Sequence, residues 1–155
     1  MKIKIDDLED GEVERLLGEH HAEMHLYSPP ESIHALNSKS LRDPSVTFWS
    51  AWIENELAGC GALKEISSSH GEIKSMRTAK KFLRKGVGAN ILKCILEEAD
   101  LRSYTKVSLE TGTNEAFLPA IKLYERFGFQ ECGPFGSYVS DPYSVFYSKS
   151  VGRSA

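Results

Sequence analysis

The chain reads as an α+β protein, one β-sheet flanked by helices, on three observations. Short runs rich in β-branched and aromatic residues recur along its length, so strands carry much of the architecture. Two of these runs, 46–53 and 57–63, are joined by Glu54-Asn55-Glu56 and read as a hairpin. With 155 residues of which 41% are hydrophobic, the chain fits one domain, 1–155, with a real core.

The elements follow in order. Residues 2–6 alternate and read as a first strand, and 9–26 carry Val13, Leu16, Leu17 and Met24 near helical spacing. Ser28-Pro29-Pro30-Glu31 is an N-terminal helix signature: serine caps, proline suits the first turn, and Glu31 is the capping-box partner. A short second helix is predicted from Pro29 to Asn37. Val46–Ile53 is aromatic and β-branched, hence a strand, and 57–63 returns as its hairpin partner. Gly59 and Gly61 in that partner predict a bulge or a close backbone approach. Ser67-Ser68-Ser69 reads as a loop, and 72–78 as the strand leading to a glycine-rich turn. The next helix carries Ile91, Leu92, Ile95, Leu96 and Ala99 as an apolar stripe. A strand at 107–111, a helix at 117–127 and two strands at 129–134 and 144–148 complete the order β-α-α-β-β-β-α-β-α-β-β, a sheet sandwiched by helices.

The most informative stretch is Arg84-Lys85-Gly86-Val87-Gly88-Ala89, a glycine turn opening a helix. Glycine lets the backbone approach an anion, the first helical N–H groups lack intrahelical partners, and the helix dipole adds positive potential. Arg84 and Lys85 add formal charge. The turn is not a P-loop, for no G-x-x-x-x-G-K-[ST] is present, and not a dinucleotide fingerprint, because Ile91 stands where a third glycine belongs.

Downstream, Ala120-Ile121-Lys122-Leu123-Tyr124-Glu125-Arg126-Phe127-Gly128-Phe129 pairs with the turn at Leu83–Gly88. Together they resemble the GNAT superfamily of acyl-CoA-dependent N-acyltransferases. In that family an [RQ]-x-x-G-x-[GA] turn grips the coenzyme A pyrophosphate, and an A-x-x-L-Y-x-x-x-G-F segment carries a tyrosine near the thioester. The match is good over residues 45–135. It departs at Leu83, where Arg or Gln is usual, and at Phe117, where an asparagine often stands. The resemblance implies a mixed, mostly antiparallel six- to seven-stranded sheet, splayed at its two central strands. It implies acetyl-CoA as cosubstrate, held by Met76, Thr78, Arg84, Lys85, Gly86, Val87, Gly88 and Ala89, with the Met76 N–H toward the thioester oxygen.

By the same resemblance Tyr124 is the candidate proton donor to the leaving thiolate. Phenol and thiol ordinarily differ by only ~2 kcal/mol in proton affinity, so the transfer is feasible. The alternative is a tyrosine that only packs with Leu123 and Phe127. Glu72 stands fourteen residues before Gly86, where the histone-acetylating branch carries its catalytic glutamate. It has the same strand parity as Met76, which predicts one shared face. Its alternative is a solvated glutamate opening a strand, with Glu110 or water as the base. The acceptor site is expected from Tyr27, Ser28, Glu31, Ser32, His34, Arg77, Glu110 and Tyr138. Arg77 either holds an acceptor carboxylate or pairs with a surface glutamate.

Bulk properties exclude other classes. A net charge of −3 and a pI near 6.0 argue against general nucleic-acid binding. No apolar run is long enough to span a bilayer, and the alternating N-terminus is unlike a signal peptide. Cys60, Cys94 and Cys132 are odd in number and widely spaced, which fits a reducing cytoplasm and buried filler better than disulfides or an acylated nucleophile. His20, His21 and His25 lack a third convergent ligand, so no metal is expected. The expected activity is transfer of an acetyl group from acetyl-CoA directly to a primary amine of a small molecule. Acetylation of a protein lysine or N-terminus, and a silent acyl-CoA-binding module, are the alternatives. A homodimer is left open.

Overall fold

The computed structural model describes residues 1–29 and 40–152. Seven strands form one sheet in the order β1-β2-β3-β4-β5-β7-β6. They are β1 (Lys2–Asp6), β2 (Val46–Ile53), β3 (Glu56–Ser67), β4 (His70–Thr78), β5 (Lys106–Gly112), β6 (Gln130–Cys132) and β7 (Ser144–Ser150). Every neighbouring pair is antiparallel except β4 and β5. That parallel step requires a crossover, supplied by a helix as in other parallel connections. The expected mixed, mostly antiparallel α+β sheet is therefore present.

Helices cover both faces. α1 (Glu12–Tyr27) starts with Asp10 Oδ1 accepting the Glu12 N–H at 3.0 Å, and Glu12 and Glu14 complement the positive end of its dipole. Its buried Val13 and Leu16 pack with Leu8, Phe48, Leu57, Cys60 and Ala62 on one face of β2 and β3. α2 (Val87–Leu101) buries Val87, Ile91, Leu92, Ile95 and Ala99 against the other face. Each of the valine, leucine and isoleucine side chains contributes about 1.5–3 kcal/mol on removal from water. α3 (Leu118–Arg126) has proline in its first turn and stops before Gly128, whose φ of 93° favours glycine. It lies on the α2 side, with Tyr124 in the same core.

Close packing explains the β3 glycines. A Cβ on Gly59 would lie 2.6 Å from Val87 Cγ1, and one on Gly61 would lie 2.8 Å from Ile91 Cγ2. α2 therefore sits almost directly on the β3 backbone. Two expected strands differ most in length. β3 runs on to Ser67 because its tail pairs with the start of β4, and β6 is only three residues long. The predicted helix from Pro29 to Asn37 lies, beyond Pro29, outside the described residues. No helix among the described residues is long and apolar enough to cross a membrane.

Candidate active site

The two central strands part company. β4 pairs with β5 only from His70–Ile73 to Lys106–Leu109, whereas β4 stays on β3 through Thr78 and β5 stays on β7 through Gly112. Residues 74–78 and 110–112 therefore face each other across a wedge without a shared ladder. Backbone groups in such an opening need partners from water or a ligand. A linear arm with amide groups, such as pantetheine, has the right chemistry to enter it.

A bulge in β4 governs which side chains meet there. Gly61 of β3 opposes both Ser75 and Met76, and Ser75 adopts a φ of 58°. The Cys60 thiol donates to the Ser75 carbonyl at 3.3 Å. One extra residue reverses the alternation of the strand. Glu72, Lys74 and Arg77, opposite Lys64, Ala62 and Cys60, thus share the α1 face. Met76 crosses to the α2 core, against Gly61. The expectation that Glu72 and Met76 share a face is overturned by this bulge.

The glycine turn is built as an open helix end. After a single 3-10 turn at Lys80–Phe82, Arg84 takes a φ of 64°, and Gly86, with φ 79°, is the N-cap of α2 without any side-chain cap. The Asn90 N–H bonds the Gly86 carbonyl at 3.1 Å, and its side-chain amide bonds the same carbonyl at 2.7 Å. The N–H groups of Val87, Gly88 and Ala89 precede this first helical bond and point out of the end. Arg84 and Lys85 are exposed beside it, whereas Lys81 is held by Glu56 at 2.7 Å. A Cβ at Gly88 would lie 3.3 Å from Leu123 Cδ2 and 3.8 Å from Thr78 Oγ1. The end of β4, the start of α2 and α3 therefore converge on one glycine.

Tyr124 is buried at 6% exposure and meets Phe129 edge-on with ring centroids 5.8 Å apart. Burial alone pushes its phenol well above the ordinary value. It lies on the α2 side of the sheet and Glu72 on the α1 side, so the wedge separates them.

On the α1 side, Glu72 is only 5% exposed. Its Oε2 accepts from the Tyr138 hydroxyl at 2.6 Å and from Lys74 Nζ at 3.2 Å, and Lys74 Nζ also donates to the Tyr138 oxygen at 2.9 Å. Tyr138 comes from the segment between β6 and β7, held by edge contact with Phe135 at 5.2 Å and by Phe146 at 5.6 Å. Burial pushes its phenol far up, and the Glu72 and Glu110 carboxylates push the same way. His70, lowered by burial, shares a 2.7 Å hydrogen bond with the fully buried Ser108. Lys74 was not foreseen as a site residue. Its signal was the two-residue spacing from Glu72 ahead of the bulge.

The remaining candidates ring this cluster. Glu110 is half-buried on β5, two residues beyond Ser108 on the same face, and Arg77 is half-buried on the α1 face of β4. Tyr27, at the end of α1, meets Phe117 edge-on at 6.2 Å, and the Phe117 ring occupies the space beside Gly112, where no side chain would fit. Ser28 is half-buried beside Tyr27; Glu31, Ser32 and His34 lie outside the described residues.

Comparison with known proteins bears on the family and the fold. The model of the acetyltransferase (GNAT) family matches residues 12–129. The chain is 58% identical to the uncharacterized N-acetyltransferase YsnE of Bacillus subtilis (strain 168), covering 97% of this chain and 100% of that protein. It is 49% identical to the uncharacterized N-acetyltransferase YedL of Escherichia coli (strain K12), covering 96% and 94%. A crystal structure of a GNAT family acetyltransferase from Elizabethkingia anophelis with acetyl-CoA bound superposes with a TM-score of 0.71 at 19% identity, covering 97% of each chain.

Proposed function

Since the chain belongs to the acetyltransferase (GNAT) family and is an acyl-CoA-dependent N-acyltransferase, we propose that it acetylates the primary amine of a small molecule by direct transfer from acetyl-CoA. The observation that carries the small acceptor is the roof formed by the segment between β6 and β7. Tyr138 reaches down from it to Glu72 and Lys74, and Phe135 is buried beneath it. An extended polypeptide needs an open groove across this face, whereas a small amine needs only the space beside the wedge.

Acetyl-CoA supplies the activated acetyl group. Its pyrophosphate is assigned to the N–H groups of Val87, Gly88 and Ala89, with Arg84 and Lys85 adding charge. The Gly86 conformation keeps that approach clear of side chains. The unpaired edge of β4 from Met76 to Thr78 is suited to the amide arm, and the Met76 N–H to polarising the carbonyl. Glu72 takes the ammonium proton from the α1 side, and Tyr124 protonates the departing sulfur from the α3 side. Acid and base on opposite faces suit a reaction in which nucleophile and leaving group flank one carbonyl. Tyr27, Ser28, Glu31, Arg77, Glu110 and Tyr138 surround the acceptor in this reading.

Two of the three thiols, Cys60 and Cys94, argue for direct transfer over an acyl-enzyme. Burial pushes the Cys60 thiol up to about 12, and burial also raises Cys94. Neither is poised to act as a thiolate nucleophile.

The experiment is thiol release from acetyl-CoA across a panel of small amines and lysine or N-terminal peptides, with mass detection of the product. Acetylation of one or more small amines is the expected result. Activity confined to peptides would overturn the small-acceptor reading, and cofactor binding without transfer to either class would mark a silent module. Initial velocities with both substrates varied should intersect, whereas a parallel pattern would replace direct transfer with an acyl-enzyme.

A further inference from the structure

Glu72 is nearly inaccessible, yet a general base has to receive a proton from an acceptor that arrives from solvent. Lys74 covers one side of its carboxylate with a side chain only 10% exposed, and Tyr138 covers the other. Tyr138, on the segment between β6 and β7, is only half-buried, whereas Glu72 is buried. Its hydroxyl is also the only group of the cluster that both accepts and donates. It accepts from Lys74 Nζ and donates to Glu72 Oε2, in a triangle with sides of 2.9, 2.6 and 3.2 Å.

From this arrangement we propose that the Tyr138 hydroxyl is the proton carrier between the acceptor ammonium and Glu72. The inference rests on the reading of Glu72 as the base and adds the residue that touches the acceptor. In the step, the acceptor N–H bond breaks and its proton bonds to the Tyr138 oxygen. The original Tyr138 O–H breaks together with it, and that proton bonds to Glu72 Oε2. The nitrogen keeps the electron pair it needs for attack, the carboxylate becomes a carboxylic acid, and Tyr138 is a phenol before and after.

Two features favour a relay over a tyrosinate base. Burial, Glu72 and Glu110 all hold the proton on Tyr138, so the phenol gives one up only while receiving another. Lys74 donates to the phenol oxygen and to Glu72 together, fixing the Tyr138 O–H toward the carboxylate. The ring is held by Phe135 and Phe146, with Lys74 Nζ 5.6 Å above its centroid. Among the described residues, the other titratable or charged groups on this face include His70, occupied with Ser108, Glu110, Lys64, Arg77, Cys60 and Asp6, which accepts from Ser50.

The test uses the full-length Tyr138→Phe and Glu72→Gln variants with two probes at neutral pH. Ethanolamine enters as an ammonium and must lose a proton; hydroxylamine is already a free base. Tyr138→Phe keeps the ring and its aromatic contacts, so acetyl-CoA affinity by calorimetry should match the parent. The relay predicts a loss of roughly 10²-fold in kcat with ethanolamine, shrinking as pH rises, and little loss with hydroxylamine. It also predicts that the double variant is no slower than Glu72→Gln, because both residues serve one path. Equal losses with both probes, no loss with either, or multiplied losses in the double variant would overturn it. The underlying reading fails separately. If Glu72→Gln treats the two probes alike, Glu72 is not the base and the relay falls with it. If Glu72→Gln discriminates between them and Tyr138→Phe does not, the relay alone falls.

Discussion

Tyr124 is buried where its phenol holds its proton more tightly than in water. A thiolate expelled into the same dry site is also made more basic by burial, so the two shifts offset and donation remains feasible. Tyr124→Phe should therefore leave acetyl-CoA affinity unchanged and lower the single-turnover rate by about 10²-fold. An unaltered rate, with chemistry limiting, would reduce Tyr124 to a packing partner of Phe129. Tyr124 stands out in the sequence because a motif of ten residues surrounds it. Lys74 was not, since a lysine on a strand reads as solvated until the carboxylate and phenol that bury it are known. The relation of Glu72 to Met76 was misread for a different reason. Parity counts hold only in a regular strand, and Ser75 gives no sequence sign that it will take a φ of 58° and add a residue to the ladder.

At the scale of elements, the turn before α2 concentrates conformations that side chains resist. Arg84 and Gly86 both lie in the left-handed region, and only one of them is glycine. Strain retained at a non-glycine position is a common mark of a functional site. Arg84→Ala removes the charge and keeps the strain, while Arg84→Gly removes both. Arg84→Gly should be the more stable of the two by about 1 kcal/mol in urea unfolding. Both should weaken acetyl-CoA binding to a similar extent, because they lose the same cation. Equal stability would mean that the turn relaxes around Arg84, and undiminished affinity in both would confine phosphate recognition to the backbone. The elements themselves were mostly readable. β2 falls on the predicted bounds because its aromatic and β-branched run is flanked by Pro44-Ser45 and a tight turn with φ above zero at Glu54 and Asn55. The close approach of α2 was visible in Gly59 and Gly61. The short β6 was overestimated because the expected strand ran on through Gly133-Pro134, a pair that disfavours strands, whereas pairing with β7 covers only Gln130–Cys132.

For the whole molecule, the sheet is two smaller sheets joined by a short seam. β1 to β4 form one half and β5 to β7 the other, and the parallel seam spans only His70–Ile73 and Lys106–Leu109. α2 bridges them, packing on β3 at Gly59 and Gly61 and starting beside α3 at Gly88. Without a bound ligand, β4 beyond Ile73 and β5 beyond Leu109 lack a mutual ladder. In the proposed binding mode, acetyl-CoA in that wedge would complete hydrogen bonds for one edge and join both halves to the N-terminal end of α2. Binding only to the folded state at a hundredfold excess over Kd stabilises by about 2.7 kcal/mol, and for a chain of this size raises Tm by roughly 5–10 °C. A ligand held only by the exposed turn at saturating concentration would give a similar thermal shift, so Tm alone does not locate the arm. Amide hydrogen exchange does. Acetyl-CoA should slow exchange in residues 74–78 as well as at Val87, Gly88 and Ala89, with the strongest effect at Met76. Adenosine 3′,5′-bisphosphate, which lacks the pantetheine arm, should protect the turn and leave β4 as it was. Equal protection of β4 by both ligands would show that the seam tightens from the turn alone, and the wedge would lose its role as the thioester channel.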